Sequence, residues 1–317
     1  MSRRYELPEE AWELIADLFS RPQRTGRPRR DDRLMLNGIF WVLCSGAAWR
    51  DLPERFGPWS TVYQRFRDWR DDGTFTKVLE RLHIRLREDG LIDLETWMID
   101  STSIRATRAA AGGGKKGGPQ EPLSHALGRS RGGLTTKIHL LCDAKGVPLS
   151  FLLSPGQHSD IRHAQPLLDQ VRLPSAHRGR PRTRCRQLLA DKGYDADDLR
   201  RYCDRRGIRP VIPQRQGVRK PRPGRPRILN KPSYRKRNVI ERLFGWLKSC
   251  RRIATRYDKL AASFSAMFTL ACIRRCLRHY FSYKTTSLYL HCSFQEVSAK
   301  NQKRQGKLQH SFLVDQF

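Results

Sequence analysis

The spacing of apolar residues changes character along the chain. Up to about residue 75 it is helical: Trp12, Ile15, Leu18 and Phe19 recur at helical intervals over Glu9–Phe19, and Leu34, Leu36, Ile39, Phe40 and Leu43 do so over Asp32–Cys44. A basic, Pro/Gly-rich break at Arg21–Arg30 separates the two. Beyond Gly57-Pro58, Ser60 is placed to N-cap a helix running to about Trp69, which carries Arg65, Arg67 and Arg70 beside Tyr63 and Gln64. Short helices, a Gly-containing turn and a basic last helix fit a helix-turn-helix. A plain helical bundle with solvated arginines fits the same pattern.

From about residue 95 the period shortens. Glu95–Ile99 reads as a strand ending in Asp100. Leu134–Cys142 and Val147–Leu153 are strand-like and joined by Asp143-Ala144-Lys145-Gly146, a hairpin signal. Gln187–Ala190 is a strand ending at Asp191, Asp197–Arg206 a helix and Ile208–Ile212 a strand. Ser233–Arg252 reads as one long amphipathic helix, and Ser263–Phe281 as another. Residues 105–133, rich in Gly, Ala and Arg, read as a mobile loop. Hairpin strands followed by alternating strands and helices predict a mixed α/β layout behind a helical N-terminal block.

Length suits about two domains, and a 38% hydrophobic share is enough for an ordinary core. Charge adds more: 62 Lys and Arg against 31 Asp and Glu give a formal net charge of +31. A chain this basic needs a polyanionic partner, and nucleic acid is the obvious one. Charge alone fits a ribosomal or histone-like protein equally well. The eight cysteines form no C-x-x-C pair, which argues against a zinc knuckle. Cys272 and Cys276, with His279 nearby, read as small apolar residues on a helix. With no apolar signal region and no apolar run of about 18 residues, a cytoplasmic protein with reduced thiols and no membrane association is expected.

Three carboxylates stand out. Asp100 and Asp191 each follow an apolar strand, where α/β sheets present ligand sites. A pair of aspartates on neighbouring strands can share hard cations through oxygen; a single strand-end Asp often only caps the next helix. On a continuous helix Tyr234, Arg237, Glu241 and Lys248 fall within an arc of roughly 60°, with Val239, Leu243, Trp246 and Leu247 opposite. That polar stripe is either a site or a solvated face with two salt bridges. Residues 205–240 hold thirteen Lys/Arg and no Asp/Glu, and Gly-Arg-Pro-Arg occurs at 26–29, 179–182 and 224–227. Such arms can enter an A·T-rich minor groove or touch phosphates only. His139, His158 and Asp160 read as packing or capping residues.

Asp100-Ser101-Thr102, Asp191-Lys192-Gly193-Tyr194 and the spacing Tyr234, Arg237, Glu241, Lys248 together resemble the DDE transposases of bacterial insertion sequences, most nearly the family numbered five. Gly133–Leu140, Phe151–Gln157 and Ala47–Pro53 carry the same resemblance. It implies a ribonuclease-H-like catalytic domain over 95–281, a helical DNA-binding domain over 1–75, a connecting helix or linker over 76–94, and a tail over 282–317 outside the pattern. It implies that Asp100, Asp191 and Glu241 are catalytic and hold two Mg²⁺ ions, with Mn²⁺ an alternative. It further implies that Arg65, Arg67, Arg70, Tyr234, Arg237 and Lys248 contact DNA. The implied function is binding of terminal inverted repeats, then cleavage and strand transfer into target DNA. A homodimer at the synapsis of two ends, in the bacterial cytoplasm at the nucleoid, is the implied setting. A non-catalytic sequence-specific DNA-binding protein, an inactive transposon remnant, and a nuclease that cuts without joining stand as alternatives.

Overall fold

The computed structural model describes residues 5–19, 29–113, 122, 124–177, 179–215 and 228–283. All but Arg29 of two of the three Gly-Arg-Pro-Arg repeats, most of the tail and part of the basic run over 205–240 lie outside them. The chain divides into two compact units, Met1–Cys276 and Leu277–Phe317, and the described residues of the second, 277–283, are helical.

The N-terminal helices are α1 (Glu9–Glu13), α2 (Asp32–Ser45), α3 (Trp59–Asp71) and α4 (Thr74–Glu88). The helix expected over 9–19 is therefore broken: α1 stops at Glu13, and Ala16–Leu18 form a tighter turn. Helix α2 begins where Asp31 accepts a hydrogen bond from the Leu34 N–H, and it ends at left-handed Gly46. A Cβ on Gly46 would stand 2.8 Å from Cβ of Arg251, so the glycine also permits close approach of a distant segment. Ser60 is not the cap of α3. Pro58 precedes the helix without a side-chain cap. Its missing N–H is no loss at a helix start, so the helix begins one residue before Ser60. Met35, Leu36, Ile39 and Phe40 of α2 and Val62, Phe66 and Trp69 of α3 are buried.

One mixed sheet follows: β1 (Thr96–Ala106), β2 (Gly128–Ser130), β3 (Gly133–Asp143), β4 (Pro148–Pro155), β5 (Gln187–Leu189), β6 (Arg209–Val211) and β7 (Thr255–Arg256). Its central order is β4-β3-β1-β5-β6. The hairpin strands β3 and β4 run antiparallel on one side of β1, while β5 and β6 run parallel on the other. This is the mixed sheet expected of a ribonuclease-H-like domain. Helices α5 (Ile161–Asp169) and α6 (Asp197–Arg205) connect the strands, and α7 (Lys231–Arg235), α8 (Asn238–Lys248), α9 (Arg251–Ala254) and a last helix over 261–276 follow. The interval read as a loop over 105–133 contributes the end of β1, a 3-10 turn over Arg108–Gly113, and β2.

Two expectations about the site's elements need correction. Asp100 does not end its strand. Strand β1 continues to Ala106 because β3 pairs with it as far as Arg105↔Thr135 and β7 bridges its end. The apolar run stops at Ile99, but long-range pairing carries the strand through polar Ser101, Thr102 and Ser103. The helix expected over 233–252 is three pieces. Between α7 and α8 the backbone tightens to i→i−3 bonds, Arg237 N–H to Tyr234 O and Ile240 N–H to Arg237 O. At Cys250 it turns extended, with ψ 101°. The buried stripe of α8 is Ile240, Leu243, Phe244 and Leu247, with Val239 and Trp246, expected in that stripe, only half-buried.

Helix α4 lies in the interval expected to connect domains, and it buries Val78, Leu82 and Leu86. It also buries His83, whose Nε2 lies 2.8 Å from the Pro148 carbonyl. Burial pushes this imidazole down to about 4, with the carbonyl contact opposing. The folded chain therefore binds fewer protons than the unfolded chain between pH 6.5 and about 4. The stabilisation is present above 6.5 and is lost as pH falls through the folded value. From pH 6.5 to 5 the loss is on the order of 2 kcal/mol for this histidine. Thermal melts between pH 7 and 5 should show a falling Tm, and a shallower fall in His83→Gln. Equal slopes in the two proteins would remove His83 as the cause.

Candidate active site

The sheet places the two aspartates side by side. Strands β1 and β5 are parallel with Met98 opposite Leu189, so two further residues along each bring Asp100 level with Asp191. Asp191 opens a 3-10 turn, where its side chain accepts the Gly193 N–H at 2.8 Å. Asp100 accepts the Ser101 N–H at 2.8 Å. Burial pushes the Asp100 carboxyl above its ordinary range; the Ser101 N–H and Arg237 oppose this, and the negative charge of Asp191 adds to it.

Helix α8 lies against β1 and supplies the third carboxylate through an arginine. Arg237 donates from Nη1 to Asp100 Oδ2 at 2.8 Å and from Nη2 to Glu241 Oε1, so one guanidinium ties the two carboxylates together. Burial works against its charge, but Asp100 and Glu241 outweigh that and hold its pKa above the ordinary value. One helical stretch further on, Lys248 donates to Thr102 Oγ1 at 2.7 Å. Thr102 lies two residues beyond Asp100 and so on the same face of β1. Burial lowers the Lys248 pKa.

Five of the expected site residues therefore converge: Asp100, Asp191, Arg237, Glu241 and Lys248. Tyr234 sits on α7, beyond the tightened turn, and is half-buried. The resemblance implies that Arg237 contacts DNA, and here it pairs with carboxylates. Among the described residues, no group of three His, Cys, Asp or Glu is close enough to hold a metal ion. The donor chemistry still fits a hard divalent cation: Asp100 and Asp191 offer oxygens from neighbouring parallel strands, and one guanidinium joins Asp100 to the third carboxylate, Glu241.

The N-terminal arginines divide. Arg65 lies 3.8 Å from Asp32 and over the Trp69 ring. Arg70 pairs with Asp71 at 2.7 Å and donates to Ser263 Oγ at 2.7 Å. Arg67 is exposed. Asp160 does not cap α5, since its side chain makes no cap bond; it pairs with Lys137 at 2.9 Å. His139 is fully buried against Ser154 Oγ and stacked on His163, a packing role.

Three neighbours escaped sequence reasoning as individuals. Tyr194 is buried, and burial together with the charges of Asp160, Asp100 and Asp191 pushes its phenol well up. Asp195 and Arg200 form a buried pair at 2.9 Å directly behind the Asp191 turn. The acid-rich run Asp195, Asp197, Asp198 next to Asp191 was the available signal, but nothing local distinguished the inward carboxylate.

A family model described as "Transposase DDE domain" matches residues 94–276, more than half of the 317 residues. The chain belongs to this family. A second model, described as "Putative transposase of IS4/5 family", matches residues 7–79, so the helical block of this DDE-family chain also has family relatives. The chain is 33% identical over 141 residues to "Putative transposase for insertion sequence element IS402" of Burkholderia cepacia, covering 44% of this chain and 62% of that one. It is 32% identical over 149 residues to "Putative transposase for insertion sequence element IS6501" of Brucella ovis, covering 46% of this chain and 100% of that one. Among solved structures, "Crystal structure of the Mos1 Strand Transfer Complex" aligns at 13% identity and a TM-score of 0.23, covering 82% of this chain and 81% of that one. Among the described residues, no helix is long and apolar enough to cross a membrane.

Proposed function

We propose that the chain is a transposase that binds terminal inverted repeats and performs metal-dependent DNA cleavage and strand transfer, with Asp100, Asp191 and Glu241 as its catalytic carboxylates. The observation that carries this is the delivery of Glu241 by α8 to the strand bearing Asp100, beside Asp191, within a DDE-family domain. Asp100, Asp191 and Glu241 would hold Mg²⁺ or Mn²⁺ through oxygen, the donor type these ions prefer. Two such ions supply an activated attacking oxygen and neutralise charge on the scissile phosphate. The chain's own cations finish the site. Lys248, poised at Thr102, offers a point charge to a neighbouring phosphate, and Tyr234, three residues before Arg237, would donate to or stack on DNA. Duplex DNA fits the net charge of +31, and a homodimer joining two ends in the bacterial cytoplasm, at the nucleoid, is the proposed setting. Incubating labelled repeat ends with protein and Mg²⁺ or Mn²⁺ should give cleaved and joined products that EDTA abolishes. Products unaffected by EDTA would sink the metal-dependent reading, and cleaved ends that never join would indicate a nuclease.

Within the helical block, α3 is the proposed reading helix, and Arg67 is its contact. Arg65 lies near Asp32 within the block, and Arg70 reaches out of it to Ser263 while pairing with its neighbour Asp71. Arg67→Ala should weaken repeat binding by about 1–3 kcal/mol if it reads a base, with an unchanged Tm. Arg70→Ala should lower Tm. Gel shifts and melts on the full chain separate the two, and wild-type repeat affinity in Arg67→Ala would remove α3 as the reader.

A further inference from the structure

The contact that departs most from the site's expected chemistry is the arginine. Arg237 carries a planar fork whose ends reach two carboxylates 141 positions apart in the chain, Asp100 on β1 and Glu241 on α8. These are two of the three groups proposed to bind cations. Their side chains differ in freedom: Arg237 and Asp100 are 18% and 19% exposed, while Glu241 is 50% exposed and borders solvent. Without a cation, carboxylates brought together here would repel one another. A guanidinium between two of them offsets that repulsion and satisfies their lone pairs. A divalent cation needs the same oxygens.

Arg237 is also placed to leave. It stands at the boundary between α7 and α8, ahead of the first full turn of α8, so its side chain can swing without moving the helix that holds Glu241 and Lys248. A guanidinium freed from carboxylates beside a scissile phosphate is a bidentate phosphate ligand. We propose that Arg237 is a two-position residue: it closes the cation-free site by bridging Asp100 and Glu241, and it moves to a DNA phosphate when divalent cations take those carboxylates. The proposal rests on the metal-dependent reading above and adds the order of events: cation entry releases the arginine, and the released arginine grips DNA. The site then holds phosphate tightly only when it is also loaded.

The test is Mn²⁺ binding to the full-length protein without DNA, read by the signal of free Mn²⁺ in electron paramagnetic resonance. Arg237→Gln removes the competitor and should bind Mn²⁺ about tenfold or more tightly than wild type, which corresponds to at least about 1.4 kcal/mol. Arg237→Lys keeps the charge but offers one point rather than a fork; it should also bind more tightly, by a smaller factor. Plain charge repulsion predicts instead that the Lys variant matches wild type, and a permanent structural clamp predicts that both variants bind Mn²⁺ more weakly. Either result overturns the proposal. Asp191→Ala separates the underlying reading: if it leaves Mn²⁺ binding unchanged, the metal site itself is wrong. A second readout is the salt dependence of binding to a random duplex. With Mn²⁺ present, wild type should be steeper than Arg237→Gln by about 0.9, one phosphate's worth, and without Mn²⁺ the slopes should coincide. A difference present without Mn²⁺ would place Arg237 on DNA at all times and overturn the switch.

Discussion

Asp191→Ala is expected to lose cleavage and strand transfer by at least about a thousandfold, which is about 4 kcal/mol of barrier, while repeat binding stays near wild type. The size follows from position. Asp191 lies level with Asp100 where two strands run parallel, and its side chain is anchored by the Gly193 N–H. Deleting that carboxylate removes a cation ligand without removing a DNA contact, and less negative charge beside a phosphate favours DNA binding in the absence of cations. Glu241→Ala and Asp100→Ala should share the loss. Each also frees one arm of Arg237, so their cation-free DNA affinity should rise more than that of Asp191→Ala. Gel shift and cleavage read from one reaction on a labelled repeat end check this. Wild-type cleavage by Asp191→Ala would remove Asp191 from the site, and joint loss of binding and cleavage in a folded variant would make it a structural residue.

The second large effect is on stability. Asp195 and Arg200 are both 3% exposed and bonded at 2.9 Å, and Arg200 also donates to the Ile212 carbonyl at 2.9 Å. The other Asp195 oxygen accepts the Arg215 N–H, while the Arg215 side chain donates to the carbonyls of Lys192 and Gly193. The pair therefore underpins the turn that aims Asp191. Asp195→Ala leaves a buried guanidinium unpaired, which costs about 3–5 kcal/mol and should lower Tm by roughly 5–15 °C. Replacing both partners, with Asp195→Leu and Arg200→Met, should recover much of that stability, since apolar side chains of similar volume need no counter-charge. It should not recover full cleavage, because Arg215 loses its acceptor. A Tm shift of less than about 2 °C in Asp195→Ala would show the pair to be dispensable.

The sequence by itself determined most of the strands and helices and which residues are candidates for the chemistry. Apolar runs at 97–99 and 188–190, each followed by one aspartate, marked Asp100 and Asp191, because a carboxylate at the end of an apolar strand is costly to desolvate and so stands out there. The interval from Arg237 to Glu241 to Lys248 placed three polar groups on one face of α8, and that face does meet β1. Tertiary structure decided the partners. Strand β1 runs past Asp100 because β3 and β7 pair with it, and no local pattern records that pairing. Tyr234 stands on α7, across a tightened turn from α8, and a fixed angle per residue does not carry over such a turn. Arg65 and Arg70 were legible as charges on a helix, but Asp32 and Ser263, which engage them, come from elsewhere in the chain. The guanidinium of Arg237 met Asp100 across 137 positions. Periodicity states which face a residue occupies; only the packing of one element on another states what that face touches, and at this site that is the difference between a phosphate ligand and a bridge between two carboxylates.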